Sequence, residues 1–420
     1  MKILLIHQNF PAQFKHLGPA LAERGDQVVA LTPKVKEPTK WKGITVLPYM
    51  VKGSTTPGIH PWLADFETKV LRGTSCYEAA LALKQRNFEP DVILAHHGWG
   101  ESLFLKDVWP DARLGLYCEL YHRSGKSETG FDPEFPSPSP ERDALRLRLK
   151  NINNRLHQEV MDAGISPTHF QAATFPDSYQ SRITVSHDGV DTDLLVANPE
   201  ASLALPNGKK VTKRDEVITF INRNLEPYRG YHRFMRALPE LLRRRPTAEV
   251  VLLGGEETSY GAKPPEGTTW KQIFIDEVRG QIPDADWARV HFLGRVPYNT
   301  FLSMIQVSTV HVYLTYPFVL SWSLIEAMSV KSAIVASDTA PVREAIVDGQ
   351  TGVLVDFFDQ KKLIDATCTL LDAPERRNFL GANARRFARE RYDLKRVCLP
   401  RQLKWVDDLA AAYPVRKPQD

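Results

Sequence analysis

Cysteine is scarce and scattered in this chain. The four present (Cys76, Cys118, Cys368, Cys398) form no C-x-x-C pair, which argues against a disulfide framework and against a structural zinc site. The opening apolar run, Ile3-Leu4-Leu5-Ile6, is too short to span a membrane or to direct export, so a cytoplasmic protein is expected. No G-x-G-x-x-G separates the first strand from the first helix, which removes the dinucleotide fingerprint; the loop reads His7-Gln8-Asn9-Phe10-Pro11-Ala12-Gln13-Phe14 instead. Net charge is only +4, too small to imply nucleic acid as a partner. Two basic clusters, Arg142-Arg146-Arg148-Lys150 and Arg243-Arg244-Arg245, suit either a solvated helix face or a weak contact with the inner face of a membrane. What is present is ordinary for a globular protein: 420 residues, 43% hydrophobic and 25% charged, enough for two cores and hence two domains.

The most informative stretch is residues 310–356. An apolar run (Val310 to Leu314) stops at Tyr316-Pro317, where proline ends a ladder or a helix. Ser321-Trp322-Ser323 then opens a helical pattern, followed by a second apolar strand (Ala333 to Ala336), a turn of small residues and a third apolar segment before Asp356. In open parallel sheets, ligands bind where strands end. Amides at the helix start suit an anion such as a diphosphate. Glu326 lies about a turn and a half into the helix, and helical side chains lean back toward the N-terminus. Its carboxylate is therefore placed to accept hydrogen bonds from sugar hydroxyls beneath a bound phosphate.

This stretch resembles the donor-site signature of glycosyltransferase family 4, retaining enzymes of the GT-B fold that use nucleotide sugars. Glu326-Ala327-Met328 fits the second glutamate of the family pattern, and Pro341-Val342-Arg343-Glu344 with Asp348-Gly349 fits the later turn. The first glutamate is expected at position 318, which holds Phe318, in the region that handles the donor sugar. A further match runs from Val217 to Gly230. There the resemblance assigns the donor diphosphate to Arg223 and Arg229, with Arg229 replacing a lysine, and to the helix start at Ser321, Trp322 and Ser323. It assigns the ribose to Glu326 and the base to the backbone near Gly294, Arg295 and Val296.

Strand and helix patterns alternate along both halves of the chain. The first half contains a proline-dense loop, Phe131 to Arg142, expected to hang over the site, and helical patterning from Asp143 to Ala163. The resemblance implies two Rossmann-like doubly wound domains facing across a cleft. An acceptor domain is expected over residues 1–182 and a donor domain over 183–394, with a last helix, 395–420, packing back on the first.

The acceptor side carries fewer signals. The vicinal pair His96-His97 invites a metal, but adjacent strand residues point to opposite faces and no carboxylate or cysteine stands at ligand spacing; no metal is expected. Glu119 and His122, at the end of the strand beginning near Arg113, are the catalytic candidates. The resemblance implies hexosyl transfer with retention from a UDP-sugar, UDP-glucose first. The acceptor would be a saccharide or lipid-linked saccharide of bacterial polysaccharide biosynthesis, with no cofactor. Two alternatives stand beside it: a sugar-nucleotide epimerase of the same fold, and a catalytically silent protein that binds a nucleotide sugar.

Overall fold

The computed structural model describes residues 1–125, 128–137, 139–412 and 417–418. The chain divides into two compact units, one of residues 1–130, 136–189 and 395–420, the other of residues 131–135 and 190–394.

The first unit is built on eight strands: β1 (Lys2–Ile6), β2 (Gln27–Thr32), β3 (Thr39–Trp41), β4 (Ile44–Pro48), β5 (Val92–His96), β6 (Arg113–Tyr117), β7 (Ala163–Ser166) and β8 (Ile183–Val185). Their order is β3-β4-β2-β1-β5-β6-β7-β8, and every pairing is parallel except β3 with β4. Central strands such as Ile3–Ile6 and Val92–Ala95 read as unbroken apolar runs because helices cover both faces of the sheet. The helix Leu399–Ala411 packs Trp405, Val406 and Leu409 into this core, beside Phe14, Leu17 and Leu21.

The second unit carries a small antiparallel pair, β9 (Ser202–Ala204) and β10 (Lys210–Thr212), and a six-stranded parallel sheet. Its strands are β11 (Val217–Asn224), β12 (Glu249–Gly255), β13 (Val290–Phe292), β14 (Val310–Tyr313), β15 (Ala333–Ser337) and β16 (Val353–Val355). The order β13-β12-β11-β14-β15-β16 reverses direction between β11 and β14, so the loops leaving these two neighbours part to opposite sides. The helix Tyr231–Arg244 covers one face, burying Tyr231, Phe234, Met235, Leu238, Leu241 and Leu242 at helical spacing. It starts at Gly230, where φ is +68° and a Cβ would lie 2.3 Å from that of Leu314, so only glycine fits.

Several expectations are revised. The boundary drawn at residue 182 moves, because β8 pairs with β7 and keeps residues 183–189 in the first unit. Part of the proline-dense loop, Phe131–Phe135, belongs to the second unit. Phe131 packs on Tyr316 and Phe357, Phe135 on His232, Trp270 and Phe274, and Glu134 makes two 2.6 Å contacts with Arg236. The helical stretch after Asp143 is two helices, Asp143–Lys150 and Ile152–Val160, divided at Asn151. His96 and His97 are not on opposite faces: the strand ends at His96, a 3-10 turn begins at His97, and the two rings stack at 5.4 Å and 15°. Arg243, Arg244 and Arg245 pair with Glu240, Asp365, Asp372 and Glu216, so this cluster is neutralised by its neighbours.

Candidate active site

The reversal between β11 and β14 gathers most of the expected donor residues within the second unit. The pairing of β11 with β12 slips between Ile221 and Asn224, where two residues oppose one. This bulge turns Arg223 out to solvent while Asn222 and Asn224 stay 7% and 2% exposed. Among the described residues, no carboxylate pairs with Arg223, and its cation is available to a ligand.

Arg229 is held quite differently. It is 6% exposed and donates from Nη1 to Thr315 Oγ1 and to the Val319 carbonyl, both at 2.9 Å. The rings of Tyr260 and Phe318 lie 5.4 Å from the guanidinium. Arg229 thus braces the connection from β14 to the next helix in a fixed geometry. Phe318, expected in the region that handles the donor sugar, lies among aromatic rings. It is 7% exposed and packs at 4.6 Å on Tyr260 and 5.6 Å on Tyr228, as an apolar ring does when water is its alternative.

That connection ends at Ser321, the N-cap of the helix Trp322–Ser329. Ser321 Oγ accepts from the Ser323 amide at 3.3 Å, and the Ser321 amide donates to Tyr313 Oη at 2.9 Å. The Ser323 amide is therefore engaged by the cap, while Trp322 stands beside it 37% exposed. One turn on, Glu326 Oε1 accepts from Tyr298 Oη at 2.8 Å. Tyr298 heads the helix Tyr298–Val307, directly after Arg295 and Val296, so the expected base and ribose regions meet through this bond. Desolvation and the Glu326 carboxylate raise the pKa of the Tyr298 phenol, and as a neutral phenol it donates to that carboxylate. Arg295 is exposed and turns to Glu257 and, at 3.4 Å, to Asn224 Oδ1.

The analogous place in the first unit is the ends of β1, β5 and β6. Glu119 Oε2 lies 3.5 Å from His96 Nε2, and the His7 ring meets His96 edge-on at 5.4 Å. Burial lowers the His7 pKa to about 3, with help from His96, so His7 is neutral. His122 is not brought together with Glu119. Its Nδ1 meets Glu128 Oε1 at 2.9 Å, and its backbone exchanges two hydrogen bonds with the Asn151 side chain. Burial lowers its pKa ahead of the opposing pull of Glu128.

Asp132, Glu134 and His232 are the one group of three metal-type side chains within reach of one another among the described residues. Both Asp132 oxygens, His232 Nε2 and the Glu134 carboxylate are already engaged. Asp132 Oδ2 accepts from His232 Nε2 at 2.9 Å and from Tyr316 Oη at 3.0 Å, Oδ1 accepts from the Glu134 amide, and Glu134 grips Arg236. This group works as a hydrogen-bond knot, buried at Asp132 and His232, that seats the 131–135 segment.

Sequence reasoning missed Tyr298, Thr315, Glu226 and Tyr260. Glu226 sits between the two singled-out arginines in Asn-Leu-Glu-Pro-Tyr-Arg, and a carboxylate inside so cationic a segment was a usable signal.

Two parallel α/β units of this kind define the GT-B fold of glycosyltransferases. The model for the glycosyl transferase family 4 group matches residues 24–195, and that for glycosyl transferases group 1 matches residues 205–387. The chain belongs to glycosyltransferase family 4, the glycosyl transferases group 1, and by that membership is a retaining hexosyltransferase that draws on a nucleotide sugar. It is 26% identical over 380 residues to the D-inositol 3-phosphate glycosyltransferase of Corynebacterium efficiens, covering 89% of this chain and 84% of that one. Among solved structures it resembles sucrose-phosphate synthase of Thermosynechococcus elongatus, with a TM-score of 0.74 at 17% identity over 98% of this chain and all of that one. Anabaena HepE, solved with UDP-glucose, superposes with a TM-score of 0.65 at 14% identity, again over 98% of this chain and 100% of that one. No helix among the described residues is long and apolar enough to cross a membrane.

Proposed function

We propose that this enzyme takes a hexosyl group from a UDP-sugar, UDP-glucose first, and delivers it with retention to a hydroxyl of a saccharide or lipid-linked saccharide in bacterial polysaccharide synthesis. The observation that carries the donor half is the pair of anchored side chains at the end of the second sheet. Arg229 is fixed by Thr315 and Val319, and Glu326 by Tyr298. They stand at either end of the connection that runs from β14 into the helix Trp322–Ser329. In this reading Glu326 accepts from the ribose hydroxyls, the backbone at Arg295 and Val296 borders the base, and Arg223 and Arg229 meet the diphosphate. The second unit is then the donor unit and the first the acceptor unit.

Breaking the anomeric bond leaves negative charge on the diphosphate. Two guanidinium groups and the positive end of the helix dipole stabilise that charge without a metal ion. Position 318 offers an aromatic ring rather than a carboxylate nucleophile, so a covalent glycosyl-enzyme through that residue is ruled out by chemistry. The departing phosphate oxygen instead takes the proton of the incoming hydroxyl on the face it leaves. We assign the orienting of that hydroxyl to Glu119, which lies beside His96 in the first unit. HepE, whose solved complex holds UDP-glucose, is the reason for ranking that donor first. A weak membrane contact, if the acceptor is lipid-linked, falls to the exposed Arg142 and Arg148, because Arg146 pairs with Asp143 and the 243–245 cluster is neutralised by its neighbours.

Calorimetry with UDP and GDP in excess EDTA tests the donor site, with UDP expected to bind and to bind more tightly. Loss of all binding on chelation would overturn the metal-free mechanism. Incubation with UDP-glucose, followed by NMR for slow hydrolysis to α-glucose against epimerised nucleotide sugar, separates a transferase from an epimerase; neither product would leave a binding protein.

A further inference from the structure

Glu226 is completely buried, at 0% exposed, yet only half of its carboxylate is used. Oε2 accepts from the amides of Ser259 at 2.7 Å and Tyr260 at 3.1 Å. Oε1 has no hydrogen-bond partner among the described residues. Burial pushes the pKa of this carboxyl up, and the two amides with Arg229 and Arg223 pull the other way. Holding the 259–260 backbone does not explain an acid here, because a glutamine oxygen would accept from the same two amides without the cost of burying a charge. An unpartnered buried acceptor calls for a donor that arrives from outside the protein.

The surroundings indicate what kind of donor. Tyr260 lies over Phe318 at 4.6 Å and stacks on Tyr228 at 6.4 Å and 25°. Gly261, at φ +77°, presses its backbone on the Tyr228 ring, where a Cβ would come within 2.6 Å. Asn224 adds a 2.6 Å bond to Ser259 Oγ. An unpartnered carboxylate oxygen on the residue that holds the Tyr260 backbone, with Tyr260 itself packed on Phe318 and Tyr228, is a composition that suits a hexose. The C–H face of the sugar packs on the rings, and its hydroxyls donate to the acid.

We propose that Glu226 and Tyr260 form the hexose-facing wall of the donor site, Glu226 Oε1 accepting from sugar hydroxyls in place of the carboxylate absent at position 318. This assignment rests on the reading of the second unit as the donor unit. Engagement requires the Tyr260 ring to turn aside about its side-chain bonds, in the loop that leaves β12. Tyr260 is the contact that selects the sugar, and Glu226 both positions it and reads the hydroxyls.

Glu226→Gln separates these roles. The amide oxygen keeps the two backbone bonds, and the unpartnered acceptor becomes an N–H donor. Affinities for UDP and for UDP-glucose are measured by calorimetry on the full chain, alongside the melting temperature. UDP binding should stay within about twofold of the parent, while the ratio of UDP-glucose to UDP affinity falls about tenfold or more. Tyr260→Ala should lower the same ratio and Tyr260→Phe should preserve it, which keeps the idea exposed to failure even where Glu226→Gln folds poorly. An unchanged ratio in Glu226→Gln and Tyr260→Ala, with UDP still bound, overturns this wall alone. A parent that binds neither UDP nor UDP-glucose overturns the donor-site reading and this inference with it.

Discussion

Tyr298 donates its phenolic hydrogen to Glu326 across 2.8 Å, joining two helices that start 24 residues apart, at Tyr298 and Trp322. The bond holds the carboxylate rotamer before any nucleotide arrives.

Glu326→Ala is therefore expected to weaken UDP and UDP-glucose alike, by roughly 10- to 150-fold, the loss of a charge-assisted hydrogen bond of about 1.5–3 kcal/mol. Tyr298→Phe should cost only a few-fold, because the carboxylate remains but is no longer pre-set. Titration calorimetry on both variants checks this; a Tyr298→Phe loss equal to that of Glu326→Ala would place the ligand contact on the tyrosine instead.

Arg229→Lys removes the forked geometry that reaches Thr315 and Val319 together while keeping the charge. Nucleotide affinity should fall about tenfold or more despite the retained cation. Phe318→Ala should act on the same property, since it strips one of the two rings flanking that guanidinium and leaves a cavity costing about 3–5 kcal/mol. A UDP affinity unchanged in both variants would show that Arg229 serves the loop and not the ligand.

Asp132→Ala should leave His232 Nε2 and Tyr316 Oη buried without their acceptor. The expected cost is about 2–4 kcal/mol, a fall in melting temperature of roughly 5–15 °C. Asp132→Asn, which keeps an acceptor oxygen, should recover part of it. A melting temperature unchanged in Asp132→Ala would mean that the segment is held by its two phenylalanines alone.

Acid should destabilise the fold well above the carboxylate range. Burial lowers His157, His187 and His311 to a pKa of about 4, so each stays neutral in the folded chain. Unfolded, each takes up a proton near its ordinary value of about 6.5. The stability they contribute is intact above that value and is lost as pH falls from about 6.5 toward 4. At pH 5 the loss is about 2 kcal/mol for each histidine. His311→Gln should melt with a smaller drop between pH 7.5 and 5 than the parent; an identical drop would remove His311 from the account.

The strands were legible in the sequence because a sheet covered on both faces leaves apolar runs, unbroken in Ile3–Ile6 and interrupted only by His311 in Val310–Tyr313. Glu326 and the helix start were legible for a similar reason: they sit in one continuous strand-loop-helix stretch. What escaped was long-range side-chain pairing. The Tyr298–Glu326 bond spans 28 residues, the Glu226–Tyr260 bond 34, and neither leaves a period. His96 and His97 escaped because a strand-to-turn transition between adjacent residues cancels the alternation on which the opposite-face argument rests. Phe318 matched a motif position by count, whereas its packing follows from Tyr228 and Tyr260, which the count does not contain.

The seat of Phe131–Phe135 has a bearing on biosynthesis. Ribosomes release this segment long before the residues that receive it, His232, Phe274, Tyr316 and Phe357. At ordinary elongation rates the wait is on the order of tens of seconds, during which two phenylalanines and two carboxylates with no counterpart travel in solvent. Separate expression of either unit would strand the same pieces, a greasy pentapeptide on one product and an open aromatic socket on the other. The two polypeptide halves are thus poor candidates for division at residue 189, and a split version of this enzyme should be cut elsewhere or should carry residues 131–135 on the second fragment.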